Sequence, residues 1–164
     1  MTKELEHSFV TQLQENQNIV HKICRLYTND SDSHNDLFQE ITIQLWRAFP
    51  KFRGDSKFST WMYRVALNTA ITLYRKSKRR VQTQDFEGVS FKIKAEDYDD
   101  TIEEQLKLMY SAVKNLSDID KALVFLYLED KSYREIATTL GISEVNSRVK
   151  MNRIKEKLRT VLNP

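Results

Sequence analysis

The chain has 164 residues, a formal net charge of +3 and 40% hydrophobic residues, but only 3 Gly and 2 Pro. This length is enough for one medium-sized domain or two small ones. An all-β sandwich or barrel needs many more turn-forming residues, so the composition excludes it and favours helices joined by polar connections.

The composition also excludes several kinds of site. A single cysteine, Cys24, rules out an internal disulfide framework, and the histidines His7, His21 and His34 supply no metal-ligand spacing with it. No apolar run approaches the ~18–20 residues of a membrane span, and the N-terminus lacks a signal-peptide core. We therefore expect a cytoplasmic protein without a metal or another cofactor.

The first part of the chain has the periodicity of amphipathic helices. Apolar residues recur at helical spacing from Phe9 to Leu26, although the polar residues 16–18 can interrupt this segment. The polar run from Thr28 to Ser33 ends it, and Ser33 is predicted to cap a second helix. Because the residue before a proline disfavours helical backbone, the second helix is expected to stop before Pro50.

A turn and a third helix come next. Residues 53–56, Arg-Gly-Asp-Ser, are typical of a turn with a helix cap. A long helix is predicted from about Phe58 onward, and it ends in a basic cluster. This cluster consists of Arg75, Lys76, Lys78, Arg79 and Arg80.

Helical periodicity fades over residues 81–100 while the charge density increases, which indicates a flexible linker. The acidic residues in and just after it are Glu96, Asp97, Asp99, Asp100, Glu103 and Glu104. Helical patterning returns at Thr101. The sequence therefore predicts an all-α fold of two small helical domains, residues 1–80 and 101–164, joined by an acidic flexible linker.

A second basic cluster lies near the C-terminus. It consists of Arg148, Lys150, Arg153, Lys155, Lys157 and Arg159. One such cluster is explained equally well by a solvated helix face. Two clusters separated by an acidic stretch favour two DNA-facing modules and a connector that avoids DNA.

The last quarter of the chain has the signals of a DNA-binding helix-turn-helix. Ser132 and Glu135 have the spacing of a capping box, in which each side chain satisfies a free amide at the helix start. Gly141 supplies a left-handed residue that ends this helix, and Ser143 is the predicted cap of the next one. These signals predict a helix-turn-helix from about Ser132 to Leu162, the alternative being an ordinary helical hairpin with a solvated basic face.

The second helix of this motif has two different faces. Met151, Ile154 and Leu158 fall on one face at helical spacing and are predicted to pack inward. The opposite face near the helix start carries Glu144, Arg148, Val149 and Asn152, with Lys150 and Arg153 beside them. Because base edges in a major groove are recognised by such polar and cationic side chains, this face indicates sequence-specific DNA contact.

The N-terminal half carries a family resemblance. The segment Asp36-Leu37-Phe38-Gln39-Glu40 resembles the helix with which bacterial sigma factors bind the clamp of RNA polymerase. The segment from Phe52 to Asn68 resembles the part of the same family that melts and recognises the promoter −10 element. With the pattern from Ser132 to Leu158, the chain is similar to the extracytoplasmic-function (ECF) group of the sigma-70 family over about Phe9 to Leu162.

The resemblance implies a dissociable subunit that gives RNA polymerase its promoter specificity, and not an enzyme. The implied partners are core polymerase, through its clamp and flap, and promoter DNA, and an anti-sigma factor is a common further partner in this group. The residues implied to bind polymerase are Asp36, Gln39 and Glu40. Those implied at the −10 element are Phe58, Trp61, Tyr63, Arg64 and Asn68. Those implied at the −35 element are Arg148, Val149, Lys150, Asn152 and Arg153, with Lys150 and Arg134 expected at phosphates.

Some residues leave a choice open or depart from the family pattern. Trp61 is as compatible with a core position as with a surface for an unpaired base, because Val65 lies one helical turn on. Primary sigma factors have paired tryptophans here, whereas Met62 follows Trp61, which suggests a weaker wedge in this chain. Ser147 lies on the inner face, where the family usually has an apolar residue, and we expect it to pack less well or to bond back to the preceding turn.

Two other functions are compatible with a helix-turn-helix alone. A repressor or activator would bind DNA unaided, as a dimer on a palindrome. The sequence has no obvious dimer helix, and this function leaves the block from Asp36 to Asn68 unexplained. A nucleic-acid enzyme would need convergent carboxylates, metal ligands or an activated nucleophile, but the densest acidic group lies in the linker with no His or Cys beside it.

Overall fold

The computed structural model describes residues 2–84 and 104–162. These residues form seven α-helices and one turn of 3-10 helix, and none of them forms a strand. The helices are α1 (Lys3–Tyr27), α2 (Ser31–Ala48), α3 (Phe58–Gln84), α4 (Glu104–Lys114), α5 (Asp118–Leu128), α6 (Tyr133–Leu140) and α7 (Glu144–Leu162), and the 3-10 turn is Phe49–Lys51. They divide into two compact units, α1 to α3 and α4 to α7. The predicted all-α fold with two helical domains is confirmed.

Helix α1 is continuous over 25 residues, so the predicted interruption at 16–18 is wrong. The Asn16 side-chain amide donates a hydrogen bond to the Gln12 carbonyl oxygen at 2.8 Å. The polar side chain thus bonds to its own helix and does not break it. At the C-terminal end the Thr28 hydroxyl donates to the Cys24 carbonyl oxygen at 2.6 Å.

Helix α2 is capped by Asp30, so the predicted cap at Ser33 is wrong. The Ser33 amide donates to one Asp30 carboxylate oxygen at 2.7 Å, and the Ser33 hydroxyl donates to the other at 3.1 Å. A carboxylate at a helix start also interacts favourably with the helix dipole, which explains why aspartate takes this position. Helix α2 ends at Ala48, so the predicted stop before Pro50 is confirmed.

The turn before α3 forms around Gly54, whose φ of +77° is left-handed. The predicted cap within residues 53–56 is wrong, because α3 begins after Lys57, whose carbonyl oxygen accepts from the Trp61 amide at 3.2 Å. Helix α3 continues to Gln84, so the predicted domain boundary at residue 80 falls inside a helix. The rest of the predicted linker, residues 85–100, lies outside the described residues.

The apolar faces of α1, α2 and α3 pack together to form the core of the first unit. The side chains with 0% exposure include Val20, Ile23, Ile41, Leu45, Met62 and Leu67. Burial of each such aliphatic side chain contributes roughly 1.5–3 kcal/mol. This packing fixes which faces of α2 and α3 point outward.

Helix α5 lies at the centre of the second unit, with residues 121–126 all buried. It packs against α4, α6 and α7. Ile136 from α6 and both Met151 and Ile154 from α7 complete the core with 3% exposure or less. The two helices of the predicted DNA-binding motif are therefore held on one supporting helix.

Candidate nucleic-acid interface

The start of α6 has both hydrogen bonds of the predicted capping box. The Glu135 amide donates to the Ser132 hydroxyl oxygen, and the Ser132 amide donates to a Glu135 carboxylate oxygen, each at 3.1 Å. Gly141 ends the helix with a φ of +71°, and its amide donates to the Ala137 carbonyl oxygen at 2.9 Å. Ser143 accepts from the Asn146 amide at 3.0 Å and so caps α7. The predicted helix-turn-helix is confirmed.

The inner face of α7 is as predicted at Met151 and Ile154, whereas Leu158 is only half-buried. Ser147 is completely buried on this face. Its hydroxyl donates to the Ser143 carbonyl oxygen at 3.0 Å. The predicted bond back to the preceding turn is confirmed, because a hydroxyl in an apolar setting needs a partner.

The outer face of α7 carries the predicted −35 residues. Arg148, Val149, Asn152 and Arg153 are exposed, and Lys150 is half-buried. Val145, which the sequence analysis missed, is the most exposed large apolar side chain among the described residues, at 70%. Its spacing of one helical turn from Val149 was the available signal. Two exposed valines beside cations make a surface that can contact thymine methyl groups.

Arg148 is held from two sides. Its Nη2 atom donates to a Glu144 carboxylate oxygen at 2.8 Å, within α7. Its guanidinium carbon also lies 5.5 Å from the centre of the Tyr133 ring, which comes from the first turn of α6. The contact with Tyr133 was missed because no local pattern links two residues from different helices.

A second aromatic contact follows along the same edge of α7. The Lys155 ammonium lies 4.5 Å from the centre of the Tyr127 ring, and that ring lies 6.2 Å from Tyr133. A hydrogen bond to the Tyr127 side chain raises the pKa of Lys155. Arg148 and Lys155 are two turns apart, so one edge of the basic helix lies against tyrosines of α5 and α6.

Helix α3 separates the predicted −10 residues into buried and exposed ones. Phe58 and Tyr63 are 6% and 5% exposed, so neither offers a free ring to an unpaired base. Arg64 and Asn68 are exposed, and Trp61 is half-buried. Because residues three and four apart share a helix face, Trp61, Arg64 and Asn68 form one stripe.

Trp61 lies at the edge of an aromatic cluster. Its ring centroid is 5.1 Å from that of Phe52, 5.3 Å from that of Phe58 and 6.2 Å from that of Phe49. Phe49 in turn lies 5.2 Å from Phe9 of α1. Trp61 therefore packs on the cluster and keeps part of its surface in solvent, and its role as a surface for an unpaired base stays a prediction.

Helix α2 presents a polar stripe opposite its buried face. Asp36 and Gln39 are exposed, and Glu40 is half-buried. The Gln44 side-chain amide donates to a Glu40 carboxylate oxygen at 3.0 Å, which fixes the direction of that carboxylate. Ile43, which the sequence analysis missed, is 42% exposed beside these groups. The stripe thus offers two carboxylates and an apolar contact to a partner.

The comparisons with known proteins agree with this division of the chain. The family model described as Sigma-70 region 2 matches residues 13–80, and that described as Sigma-70, region 4 matches residues 106–158. An ECF RNA polymerase sigma-E factor of Escherichia coli (strain K12) is 30% identical over 148 residues, which cover 79% of this chain and 75% of that protein. The chain belongs to the ECF RNA polymerase sigma factors. It is therefore a transcription initiation factor and not an enzyme.

A second relative and a solved structure are also similar to this ECF sigma factor. The ECF RNA polymerase sigma-E factor of Haemophilus influenzae is 29% identical over 163 residues, which cover 90% of this chain and 84% of that protein. Among solved structures, the sigma factor RpoE in complex with the anti-sigma factor NepR from Bartonella quintana matches with a TM-score of 0.77 and 19% identity, over 94% of this chain and 96% of that one. This second likeness concerns the fold.

The first unit of the sigma factor also contains a histidine pair between α1 and α2. His21 Nδ1 and His34 Nε2 are 2.9 Å apart, and the His21 ring stacks on Phe38 at 4.4 Å. Burial lowers the pKa of both histidines. The positive charge of Arg25 lowers both further, and for His34 the charge of His21 does as well. Since His21 belongs to α1 and His34 to the first turn of α2, the pair joins α1 to the helix that carries the polar stripe.

The described residues contain neither a metal-binding cluster nor a membrane-spanning helix. No group of three or more His, Cys, Asp or Glu side chains in the described part of the chain is arranged to hold a metal ion. None of the described helices is both long and apolar enough to cross a membrane. Cys24 is buried, which raises the pKa of its thiol to about 12.

Proposed function

We propose that this ECF sigma factor selects promoters with two surfaces, the α3 stripe at the −10 element and the outer face of α7 at the −35 element. The observation that carries the proposal is the exposed face of α7, where Arg148, Val149, Asn152 and Arg153 stand on a capped helix-turn-helix. Such a face has the side chains that contact base edges in a major groove.

We propose that α2 binds the clamp of core polymerase through Asp36, Gln39 and Glu40. The bond from Gln44 presents the Glu40 carboxylate in one direction, which suits a basic partner helix. Ile43 supplies an apolar contact one helical turn beyond Gln39 and Glu40. A complementary charge pattern gives specificity and a fast encounter, and the apolar side chain adds contact area.

At the −10 element, the proposed contacts are Trp61, Arg64 and Asn68. Trp61 offers a partly exposed ring on which an unpaired base can stack. The burial of Phe58 changes its proposed role from base contact to support of the Trp61 ring. Exposed cations in the last third of α3 are proposed to extend this surface towards the DNA backbone. They are Arg75, Lys76, Lys78, Arg79 and Arg80.

At the −35 element, side chains of α7 select the sequence, and cations around it hold the backbone. Arg148, Val149, Asn152 and Arg153 are the proposed base contacts. Lys150 and Arg134, the latter exposed in the first turn of α6, are the proposed phosphate contacts. Phosphate contacts give affinity that depends on salt, and base contacts give sequence selection.

We also propose partners for the second unit and a location for the protein. The flap of core polymerase is the proposed partner of the second unit, and the acidic residues between Gln84 and Glu104 connect the two units. An anti-sigma factor is a proposed further partner, supported by the relative from Bartonella quintana that is described in complex with one. The cytoplasm, where promoters and polymerase are, is the proposed location.

The polymerase contact is tested by binding of fluorescently labelled full-length chain to core polymerase. Asp36→Lys reverses one charge of the stripe and is expected to weaken binding by about tenfold or more, because it places a like charge against a basic partner. Glu15→Lys, on an exposed position of α1, makes the same charge change outside the stripe. Equal affinities of these two variants for core polymerase would refute the role of α2.

A further inference from the structure

The Arg148 guanidinium has two supports that come from different helices. Glu144, in the first turn of α7, binds its Nη2 atom at 2.8 Å. Tyr133, in the first turn of α6, lies under its guanidinium carbon at 5.5 Å. The side chains remain open to solvent, with 58% exposure for Arg148 and 46% for Glu144. The guanidinium is thus positioned and accessible at the same time.

Fold stability does not explain this arrangement. An exposed ion pair between residues one helical turn apart contributes little to stability, because water screens it. A role in positioning Arg148 explains the arrangement better. A free arginine side chain samples many rotamers and loses this freedom when it binds, so a side chain that is already held loses less. The carboxylate at one edge and the ring at one face favour one region for the guanidinium.

The arrangement leaves the donors that a base requires. Glu144 engages Nη2, and a guanidinium has five N–H donors, so most of them remain available. A guanine accepts two of them at O6 and N7 in the major groove. Arg148 can therefore donate to a guanine while Glu144 accepts one of its hydrogens.

The charge of Glu144 affects phosphates and bases differently. A carboxylate beside the guanidinium repels a phosphate that approaches the same donors, whereas a neutral guanine edge is repelled much less. Phosphate contacts are the source of sequence-independent affinity. Glu144 therefore opposes the use of Arg148 on the DNA backbone.

We propose that Glu144 is a positioning residue that sets the specificity of the −35 contact. Its carboxylate holds Arg148 for a guanine and penalises its use as a phosphate contact. This inference rests on the proposed function, because it presupposes that α7 contacts the −35 element. It adds a residue that makes no base contact itself and acts through Arg148.

The test uses full-length chain bound to core polymerase. The −35 sequence that the wild-type holoenzyme prefers is first selected from a duplex library. Binding to that sequence and to a duplex with the preferred guanine replaced then gives a discrimination ratio for each variant. Glu144→Ala removes the charge and the acceptor, whereas Glu144→Gln removes only the charge. Glu156→Gln, at an exposed position further along α7, is the matched control for charge.

Glu144→Ala is expected to lower the discrimination ratio by about two- to threefold, the scale of an exposed ion pair one helical turn apart. Glu144→Gln is expected to lower the ratio less, because its amide oxygen still accepts from Arg148. Both should bind the replaced duplex more tightly, and the slope of log K against log salt should steepen by about one phosphate contact. Glu156→Gln should leave the ratio unchanged.

A double-mutant cycle decides whether Glu144 acts through Arg148. In an Arg148→Ala background, Glu144→Ala is expected to leave the ratio unchanged, whereas an independent role would lower it again. An unchanged ratio for Glu144→Ala alone, or an equal drop for Glu156→Gln, overturns the inference. If the wild-type holoenzyme selects no −35 sequence at all, the proposed function itself fails. Far-UV circular dichroism shows that each variant has folded, and Glu144→Gln keeps the test open if Glu144→Ala does not fold.

Discussion

Replacement of Gly141 by alanine tests how the turn between α6 and α7 is held. Gly141 has a φ of +71°, and a Cβ added there would meet no atom within 4 Å. The substitution therefore causes no clash, and its cost is that of a left-handed backbone, about 1–2 kcal/mol for an L-residue. Alanine also reduces the conformational entropy of the unfolded chain, which offsets about 0.4–1 kcal/mol of this cost. The expected net loss is about 1 kcal/mol.

Gly54→Ala is the control for the effect of a left-handed alanine in the other unit. Gly54 has a φ of +77° and its added Cβ also meets nothing within 4 Å, but it lies in the first unit. The two alanine variants therefore introduce the same strain into different units. Gly141→Asn should lose less than Gly141→Ala, because asparagine tolerates the left-handed region better.

Hydrogen exchange of the full-length chain measures both losses in one experiment. In Gly141→Ala, the protected amides of α6 and α7 should exchange faster by a factor that corresponds to about 1 kcal/mol, roughly fivefold. Amides of α1 to α3 should keep their wild-type rates. Gly54→Ala should give the opposite distribution. A Gly141→Ala variant as stable as the wild type would refute the reasoning, since it would mean that the left-handed residue costs nothing.

Three further predictions concern the two interfaces and the histidine pair. Arg148→Ala should weaken binding of the holoenzyme to its selected −35 element by ~1–3 kcal/mol, and an equal loss on every −35 sequence would make Arg148 a phosphate contact. Trp61→Ala should slow promoter opening, followed by permanganate reactivity of unpaired thymines, more than it weakens binding to closed duplex, and equal effects would remove its proposed role. The folded-state pKa values of His21 and His34 lie below the ordinary value of 6.5, so the folded chain binds fewer protons than the unfolded one as the pH falls. The free energy of unfolding of the first unit, measured in urea, should therefore be level above about pH 6.5 and decrease below it. His34→Gln should reduce this decrease relative to the wild type. An equal decrease in the variant would contradict the assignment of this pH dependence to the histidine pair.

The helix-turn-helix could be predicted almost completely from the sequence because its signals are local. A capping box and a helix-ending glycine depend on residues within one or two turns of each other. The bonds of Ser132, Glu135 and Gly141 formed as expected for this reason. The buried Ser147 also followed from its position on an apolar face and the tendency of serine to bond back.

Several features that the sequence did not predict depend on competition between neighbouring residues or on contacts between distant ones. Asp30 takes the cap of α2 in place of Ser33, since two residues within one turn were both capable of it. The burial of Phe58 depends on Phe49, which a neighbouring segment brings against it at 6.0 Å. The support of Arg148 by Tyr133 links two helices. No single helical pattern contains these contacts, so periodicity could indicate an aromatic cluster but not which ring stays exposed.

Run-off transcription with purified core polymerase tests the account most directly. Reactions with and without the full-length chain are run on a library of genomic promoter fragments, and the transcripts are sequenced. We expect transcripts that depend on the chain and whose promoters share two motifs, one at −10 and one at −35. Failure of the chain to bind core polymerase, or binding without any transcript that depends on it, would contradict its role as a promoter-specificity factor.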